Sequence, residues 1–302
     1  MTIGQVNVQD WDSEYDVIVV GSGAGAMAGA FSAASRGLKT LVVEKTPFLG
    51  GTSSYSGASC WLPATQVQER AGVADSVDAA RAYLQSLLGE TEADRREAFL
   101  ASAPELVKAL EHDPAIEFRW TAFPDYFAGP GRMDAGRPNI ESDRRAEPHP
   151  DGPLTAGQAL IGRLLLGFMN TGNGSVRTET EMTGLIVEEG RAAGISVETA
   201  EGPHTLRAAA GVLLGAGGFE SNAGMRTHNG TPGSADWSMA PQGSNTGTAI
   251  RSAQEAGAAV ELMEEGWWCP GVLQPSGDSA FTLGFRGGLM VSGDGRRFAN
   301  ES

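Results

Sequence analysis

Residues 15–45, YDVIVVGSGAGAMAGAFSAASRGLKTLVVEK, decide the fold of this chain. Within them, residues 16–20 (DVIVV) are rich in β-branched side chains and lack polar alternation, which is typical of a parallel strand buried on both faces. A glycine-rich turn, a helix of small residues and a second apolar strand at residues 41–43 follow in that order. This succession predicts a βαβ unit in an α/β fold.

The glycine turn has the spacing that a dinucleotide-binding loop requires. Gly21 permits the tight turn, Gly23 lets the backbone approach a pyrophosphate, and Ala26 holds the third position, where alanine can replace glycine for close helix packing. The helix that follows points its free N–H groups and the positive end of its dipole at a phosphate. Glu44, after the second strand, can accept hydrogen bonds from both hydroxyls of an adenosine ribose, and its charge disfavours a 2′-phosphate. The sequence predicts a dinucleotide site; a glycine turn without a ligand is the alternative.

The composition is that of an ordinary globular protein and excludes several classes of partner. The chain has 302 residues, of which 22 are basic and 37 acidic, so its net charge of −15 disfavours nucleic acid. The acidic N-terminus has no apolar segment typical of a signal peptide, and the longest apolar stretch is too short to cross a bilayer. We expect no membrane span and a cytoplasmic location. Cys60 and Cys269 are too few for a metal site, so no metal is expected.

Helical and strand patterns extend along the rest of the chain. Residues 46–65, rich in glycine and hydroxyl side chains, predict a loop that passes close to a ligand. Helices are predicted at 76–88, capped by Ser76, at 91–110, starting from Thr91 and ended or kinked by Pro104, at 154–169 and at 245–258. Strands are predicted across 176–199, with a turn at Glu189-Gly190, and at 205–209 and 210–215.

Several motifs resemble those of the flavoproteins grouped with fumarate reductase and the 3-ketosteroid dehydrogenases. They are VVGSGAGAMA at 19–28 with Glu44-Lys45, GGTSSYSG at 50–57, LLGAGGFESN at 213–222, NTGTAIRSAQEAGA at 245–258 and GLMVSGDGRRFANES at 288–302. The resemblance implies a glutathione-reductase-like Rossmann FAD domain, with a parallel sheet plus a small antiparallel sheet, at residues 1–265. It also implies that an inserted substrate domain begins at residues 266–302.

The resemblance also implies, position by position, which residues contact FAD. They are Gly21, Ser22, Gly23, Ala24, Gly25 and Ala26 at the pyrophosphate, Glu44 and Lys45 at the ribose, Gly50, Gly51, Thr52, Ser53, Ser56, Gly57 and Ala58 along the pyrophosphate and flavin ring, Met182 at adenine through its backbone, and Ala216, Gly217, Gly218, Asn222 and Gly247 closing the pocket. Covalent members of the family carry a histidine in the loop after the paired glycines. The sequence SSYSG has none, so FAD is expected to be non-covalent.

Within the family, residues 61–73 and 123–137 resemble the 3-ketosteroid Δ1-dehydrogenase branch. This likeness implies an apolar substrate such as a steroid, loss of a proton next to its ketone, hydride transfer to flavin N5 and an unidentified electron acceptor. Tyr126 would line the pocket as a catalytic helper; a packed aromatic with a satisfied hydroxyl is the alternative.

Two other functions stay open at this stage. A fumarate-reductase-like enzyme would act on small unsaturated acids, but that branch usually has a histidine before the proline where this chain reads Trp268-Cys269-Pro270. Family members also continue beyond the motif that ends at Ser302. The sequence is therefore also interpreted as C-terminally truncated, and an inactive FAD-domain fragment is the third possibility.

Overall fold

The computed structural model forms two compact units, Met1–Gly217 and Gly218–Ser302. It describes residues 11–122, 127, 130, 139–142, 156–241, 243–268, 271–273, 275, 279–280 and 290–298. The sequence predicts a different boundary, between residues 265 and 266, at which a cofactor domain ends and a substrate domain begins. It stays a prediction.

The described helices and strands follow one another in this order. They are β1 (Ser13–Val20), α1 (Ala24–Ala34), β2 (Thr40–Val43), a 3-10 turn (Gly51–Tyr55), α2 (Gln66–Arg70), α3 (Val77–Leu88), α4 (Ala93–Leu110), β3 (Phe118–Thr121), β4 (Asn139–Ser142), α5 (Ala156–Asn170), β5 (Gly174–Arg177), β6 (Glu181–Glu188), β7 (Arg191–Thr199), β8 (Gly202–Leu214), α6 (Ala223–His228), a second 3-10 turn (Ala235–Trp237), α7 (Thr248–Glu255), β9 (Val272–Leu273) and β10 (Ser279–Ala280).

The first unit is built on a six-stranded sheet with the strand order β5-β2-β1-β8-β7-β6. β1 runs parallel to both β2 and β8, and β2 runs parallel to β5. β8 pairs with β7, and β7 with β6, in antiparallel orientation. The predicted α/β fold is confirmed. Its parallel and antiparallel parts are continuous, because the predicted strands at 205–209 and 210–215 form the single 13-residue strand β8.

Helices α1 and α5 both contribute to the apolar core cluster of this unit. Met27 on α1 and Leu164 and Phe168 on α5 are fully buried in a cluster that also contains Val19 of β1 and Val42 of β2. Each such side chain contributes about 1.5 to 3 kcal/mol through its removal from water. The core therefore fixes α1 against the strands that flank the glycine turn.

Helix α3 confirms its predicted boundaries, whereas α4 corrects the predicted start of its helix. The Ser76 hydroxyl accepts a hydrogen bond of 3.1 Å from the Ala79 N–H, and Gly89 ends α3 with a φ of +57°. Helix α4 does not start from Thr91. Its N-cap is Glu92, which has left-handed backbone and no side-chain capping bond. The helix continues through Pro104 and ends at Leu110 as predicted, so Pro104 does not end it.

The segment predicted as a loop at 46–65 contains the 3-10 turn Gly51–Tyr55, and the N-terminus of α5 packs directly on it. The Gly157 N–H donates to the Ser56 carbonyl at 3.1 Å. A Cβ on Gly157 would lie 2.2 Å from the Ser53 carbonyl oxygen, so only glycine allows this approach. The close contact holds the turn in place.

The second unit contains α6 and α7, and the latter is shorter than the helix predicted at 245–258. Gly247 has a φ of +76° and forms its N-cap, so the residues before Thr248 are not helical. The turn from Gly218 to Asn222 leads into α6, whose N-cap is Asn222.

The half-buried carboxylate of Glu111 ties α2 and the end of α4 to β3. The guanidinium of Arg70 donates to both carboxylate oxygens of Glu111, and the Phe118 N–H donates to Glu111 Oε1 at 2.9 Å. Burial by itself raises the pKa of Glu111, but the hydrogen bonds from Arg70, Phe118 and Gln66 outweigh it, so the pKa lies below its ordinary value of 4.5.

We predict that Glu111→Gln lowers the free energy of unfolding by about 1 to 2 kcal/mol at pH 7, because Arg70 loses its anionic partner. A depressed folded-state pKa gives stability that is complete above the unfolded pKa and is lost as pH falls through the folded one. Urea unfolding of wild type and variant should therefore differ at pH 7, and the difference should shrink as pH falls from 4.5 through the lowered folded-state pKa of Glu111. Glu117→Gln, which removes one partner of an exposed ion pair with Arg119, is the control and should have little effect; an equal loss in both variants would contradict the prediction.

We also predict that Gly157→Ala destabilises the protein by about 1 to 3 kcal/mol, because the new methyl group meets backbone that has nowhere to move. Gly162→Ala, on the same helix, is the matched control: a Cβ there meets nothing within 4 Å. That change should stabilise α5 by up to about 1 kcal/mol. Thermal unfolding of the two variants tests the contact, and equal melting temperatures would refute it.

Candidate functional site

The glycine turn between β1 and α1 depends on two backbones that lie in contact. Gly21 has a φ of +94°, and a Cβ on it would lie 2.5 Å from the carbonyl oxygen of Gly215. The Gly21 N–H donates to the Val43 carbonyl at 2.8 Å, and the Gly215 N–H donates to the Val20 carbonyl at 2.8 Å. The turn is therefore held between β2 and the end of β8, and another residue at position 21 would force β8 away.

The N-terminus of α1 is built to receive an anion. Gly23 is the N-cap without a side-chain capping bond, and the first turn carries no acidic residue. A Cβ on Gly25 would meet nothing within 4 Å, so space is open beside the first turn. The Ala24 N–H donates to Ser53 Oγ at 3.1 Å. Free N–H groups and the helix dipole favour a phosphate here.

Ala26 is placed differently from its glycine neighbours. Its side chain is buried, and a Cβ on Gly215 would lie 2.7 Å from the Ala26 Cβ. Ala26 thus faces β8 and sets the distance between α1 and the sheet. Close packing of the helix against the sheet is the role of the third position in a dinucleotide-binding glycine motif.

The carboxylate of Glu44 lies at the end of β2 and is 7% exposed. Its Oε2 accepts a hydrogen bond of 2.5 Å from the Ser22 hydroxyl, and its Oε1 accepts one of 2.9 Å from the Thr46 N–H. The buried Ser22 oxygen in turn accepts a bond of 2.9 Å from the Gly50 N–H. Ser22 therefore links the glycine turn, Glu44 and the segment that begins at Gly50. Oε1 also accepts a bond of 3.0 Å from the Thr46 hydroxyl. Oε2 accepts only the bond from Ser22 among the described residues and keeps a further lone pair for a ribose hydroxyl.

The segment at residues 50–58 folds back on itself through its own hydroxyl groups. Gly50 has a φ of +111°, and a Cβ on it would lie 2.8 Å from the Ser54 Cβ. The Ser56 hydroxyl accepts a hydrogen bond of 3.0 Å from the N–H of Ala58, a buried residue with a φ of +58°. The remaining predicted residues of this segment, Gly51, Thr52 and Gly57, lie along the same stretch of backbone. These contacts fix the shape of the segment, and the bond from the Ala24 N–H to Ser53 Oγ holds it beside the N-terminus of α1.

Lys45 and Met182 connect the end of β2 to the antiparallel part of the sheet. Lys45 Nζ lies 2.9 Å from Oε1 of Glu181, next to Met182 at the start of β6. The Thr180 N–H donates to the Glu44 carbonyl at 2.9 Å, which brings the start of β6 beside the carboxylate. Met182 itself is buried. The structure thus places the predicted ribose and adenine positions next to each other.

The predicted pocket-closing residues divide between the two units. Ala216 and Gly217 follow β8 in the first unit, whereas Gly218, Asn222 and Gly247 lie together in the second. Asn222 Oδ1 accepts from the Met225 N–H at 3.0 Å, and its Nδ2 donates to the Thr246 carbonyl at 2.8 Å. The Gly247 N–H donates to the Gly218 carbonyl at 3.1 Å. Asn222 therefore both caps α6 and joins the two turns.

Other predicted features contribute less to this arrangement. Tyr126 lies outside the described residues. Trp267 is 89% exposed, and Trp268 lies over the guanidinium of the buried Arg226, with 5.6 Å between the ring centroid and Cζ. Among the residues that the structure describes, no group of histidine, cysteine and acidic side chains could hold a metal. None of the described helices has the length and hydrophobicity that crossing a membrane requires.

Sequence reasoning missed Thr46, Gly157 and Gly215 as residues that shape the site. Thr46 lies two positions after Glu44, and a donor so close to a carboxylate is a local signal that could have identified it. Gly215 lies in a recognised glycine motif, but its contact with Ala26 is tertiary. Gly157 follows no motif, and only the packing of α5 on the 3-10 turn reveals it.

Comparisons with known proteins agree with this geometry. The family model described as FAD binding domain matches residues 16–302. A 3-oxosteroid 1-dehydrogenase of Rhodococcus opacus is 43% identical over 95% of this chain and 60% of its own length. The chain therefore spans less than two thirds of that relative.

Solved structures show the same fold. The crystal structure of 3-ketosteroid delta1-dehydrogenase from Sterolibacterium denitrificans, in complex with 1,4-androstadiene-3,17-dione, has a TM-score of 0.76 and 30% identity over 87% of this chain and 58% of that one. An open flavocytochrome c3 fumarate reductase has a TM-score of 0.60 and 20% identity over 82% of this chain and 41% of that one. The second likeness is one of fold alone.

The residues at the end of the parallel sheet fit FAD. The uncapped N-terminus of α1 suits the pyrophosphate, the open space at Gly25 leaves room for it, and the buried Glu44 carboxylate suits the adenosine ribose. The chain belongs to the FAD-binding domain family of flavoenzymes, with FAD as its cofactor.

Proposed function

We propose that this protein is an FAD-dependent dehydrogenase of 3-ketosteroid-like cyclic ketones that removes a proton from a carbon next to the ketone and a hydride from the neighbouring ring carbon. The observation that carries the proposal is the 43% identity to the Rhodococcus opacus 3-oxosteroid 1-dehydrogenase across 95% of this chain. The Sterolibacterium denitrificans enzyme, whose complex contains a steroid dione, supports the same substrate class. An apolar, ring-shaped ketone is therefore the proposed substrate.

The described residues would anchor the cofactor from its adenosine end. Bound FAD would supply the acceptor for a hydride from the substrate. Gly21, Gly23 and Gly25 would accommodate the pyrophosphate, and Glu44 would accept hydrogen bonds from the ribose. Since the segment SSYSG contains no histidine, the attachment is proposed to be non-covalent. The electron acceptor and the cytoplasmic location both stay predictions.

Tyr126 is proposed to assist proton removal beside the ketone. An ordinary tyrosine pKa of about 10 makes the phenol a poor base near neutrality, so a hydrogen-bonding role beside another group suits it better. A donor placed at the ketone oxygen as negative charge develops there is worth about 3 kcal/mol of barrier. We therefore assign Tyr126 a helper role, as the resemblance to the steroid branch implies.

Reduction of small unsaturated acids is the weaker candidate. The fumarate reductase neighbour shares 20% identity, which supports a common fold but not a common substrate. The chain also has Trp268 and Cys269 where a histidine usually precedes the proline in that branch.

The function can be tested with purified, FAD-loaded protein under anaerobic conditions. A saturated 3-ketosteroid should bleach the visible flavin absorbance, and the steroid product should carry one more ring double bond. Fumarate added to chemically reduced protein should not restore the absorbance. If the steroid does not bleach the flavin and fumarate reoxidises the reduced flavin, the results would favour a reductase of small unsaturated acids. A protein that retains no FAD would favour an inactive fragment.

We predict that Ser22→Ala weakens FAD binding about tenfold, which corresponds to about 1.4 kcal/mol. The change leaves Glu44 Oε2 and the Gly50 N–H without the hydroxyl that joins them, so both segments are less well placed. Flavin fluorescence titration gives the dissociation constant. Ser35→Ala, at the exposed far end of α1, is the matched control. Equal FAD affinity in the two variants would show that the Ser22 link has no part in binding.

A further inference from the structure

We propose that Thr46 is a positioning residue that orients the Glu44 carboxylate for the adenosine ribose of FAD. The inference rests on the proposed function, because that proposal assigns the ribose to Glu44. Thr46 lies between Lys45 and Gly50, which are predicted cofactor contacts, and is not itself one of the predicted contacts. Its proposed effect on the cofactor therefore passes through Glu44.

Thr46 holds one oxygen of the carboxylate with two separate donors. Oε1 of Glu44 accepts a hydrogen bond of 2.9 Å from the Thr46 N–H and one of 3.0 Å from the Thr46 hydroxyl. The Ser22 hydroxyl donates to the other oxygen, Oε2, at 2.5 Å. The last torsion of a glutamate side chain is soft, so a carboxylate keeps a fixed plane only when donors hold both of its oxygens. The two donors of Thr46 therefore help to orient Oε2 before FAD binds.

The Thr46 hydroxyl also has a second acceptor. The carbonyl oxygen of Phe48 lies 2.8 Å from Thr46 Oγ1. A hydroxyl carries one proton, so it can donate fully to only one of its two acceptors at a time. When a ribose hydroxyl donates to Oε1 of Glu44, the Thr46 proton can turn to Phe48. Thr46 therefore orients the carboxylate before FAD binds without blocking Oε1 afterwards.

The loop that follows β2 is attached at both ends to this one carboxylate. Thr46 contacts Oε1 directly, and the Gly50 N–H donates at 2.9 Å to the Ser22 oxygen, whose proton goes to Oε2. Between these ends, the Phe48 side chain is 78% exposed, so its burial adds little to hold the loop. Loss of the Thr46 hydroxyl would therefore loosen both the loop and the orientation of Glu44.

Three variants isolate the hydroxyl. Thr46→Val has nearly the same shape and keeps the N–H but lacks the hydroxyl, and Thr46→Ser restores it. Thr199→Val is the matched control, because Thr199 is half-buried like Thr46 and its hydroxyl has the same kinds of partner. It lies 3.0 Å from a carboxylate oxygen of Glu201, two positions away, and 3.1 Å from the carbonyl oxygen of Gly202. Neither partner belongs to the candidate cofactor site.

Two dissociation constants are measured on protein freed of flavin. Fluorescence titration gives the constant for FAD, and competition with FAD gives that for ADP, which has the adenosine ribose but no flavin. Thr46→Val should raise both constants about fivefold, because Glu44 must then be oriented as the ligand binds. Thr46→Ser and Thr199→Val should stay within about twofold of wild type. An unchanged FAD constant in Thr46→Val would overturn the positioning role, and so would a loss with FAD but not with ADP.

A double-mutant cycle with Glu44→Gln shows whether Thr46 acts through Glu44. Glu44→Gln by itself should weaken binding of both ligands, and Thr46→Val added to it should cost less than about twofold more. A general loosening of the fold would lower affinity equally in both backgrounds, and that result would overturn the proposal. If Glu44→Gln binds FAD and ADP like wild type, the ribose contact of the proposed function itself is wrong. A wild-type protein that binds neither ligand would overturn both.

Discussion

The structure depends on the close approach of two backbones at the end of β1. Gly21 and Gly215 touch where any side chain on Gly21 would overlap the carbonyl of Gly215. This contact is possible because β1 pairs in parallel with β8 through Val20 and Leu214. Ala26 then fills the remaining space against Gly215 and brings α1 down on the sheet. As a result, the N-terminus of α1 lies at the end of the parallel strands, where ligands of such sheets bind.

From this contact, a chain of hydrogen bonds extends to the other parts of the cofactor site. Ser22 lies one residue after Gly21, and its hydroxyl joins Glu44 to the N–H of Gly50. Ser53 accepts from the N–H of Ala24 and so returns the 50–58 segment to the same helix end. The Glu44 carboxylate, the glycine turn and the segment at residues 50–58 are therefore positioned by one another. Removing a single hydroxyl in such a network leaves buried polar groups without partners, and the cost is shared by all three segments.

Local signals in the sequence predicted the βαβ unit, the Glu44 position and the Ser76 cap, because each depends on residues close together in the chain. The features that these local signals do not predict depend on residues that are distant in the chain. Glu92 begins α4 with left-handed backbone, although Thr91 is the better capping residue by type. Arg70 and Glu111 pair across 41 positions, and Gly157 is required only because Ser53 lies against it. The sequence predicts the antiparallel strands. It does not predict that β8 joins them to the parallel sheet, because this connection depends on the pairing of β8 with β1.

The fold supports FAD binding, whereas the substrate depends on features that the fold does not determine. The glycine turn, Glu44 and the six-stranded sheet would serve any reaction that uses FAD, since function resides in sites that a fold carries. The flavocytochrome c3 fumarate reductase shares that fold at 20% identity, so the fold alone does not indicate whether the substrate is a ketone or an acid. The choice comes from features outside the cofactor site: identity to a steroid dehydrogenase along the chain, and Trp268 with Cys269 in place of a histidine before Pro270.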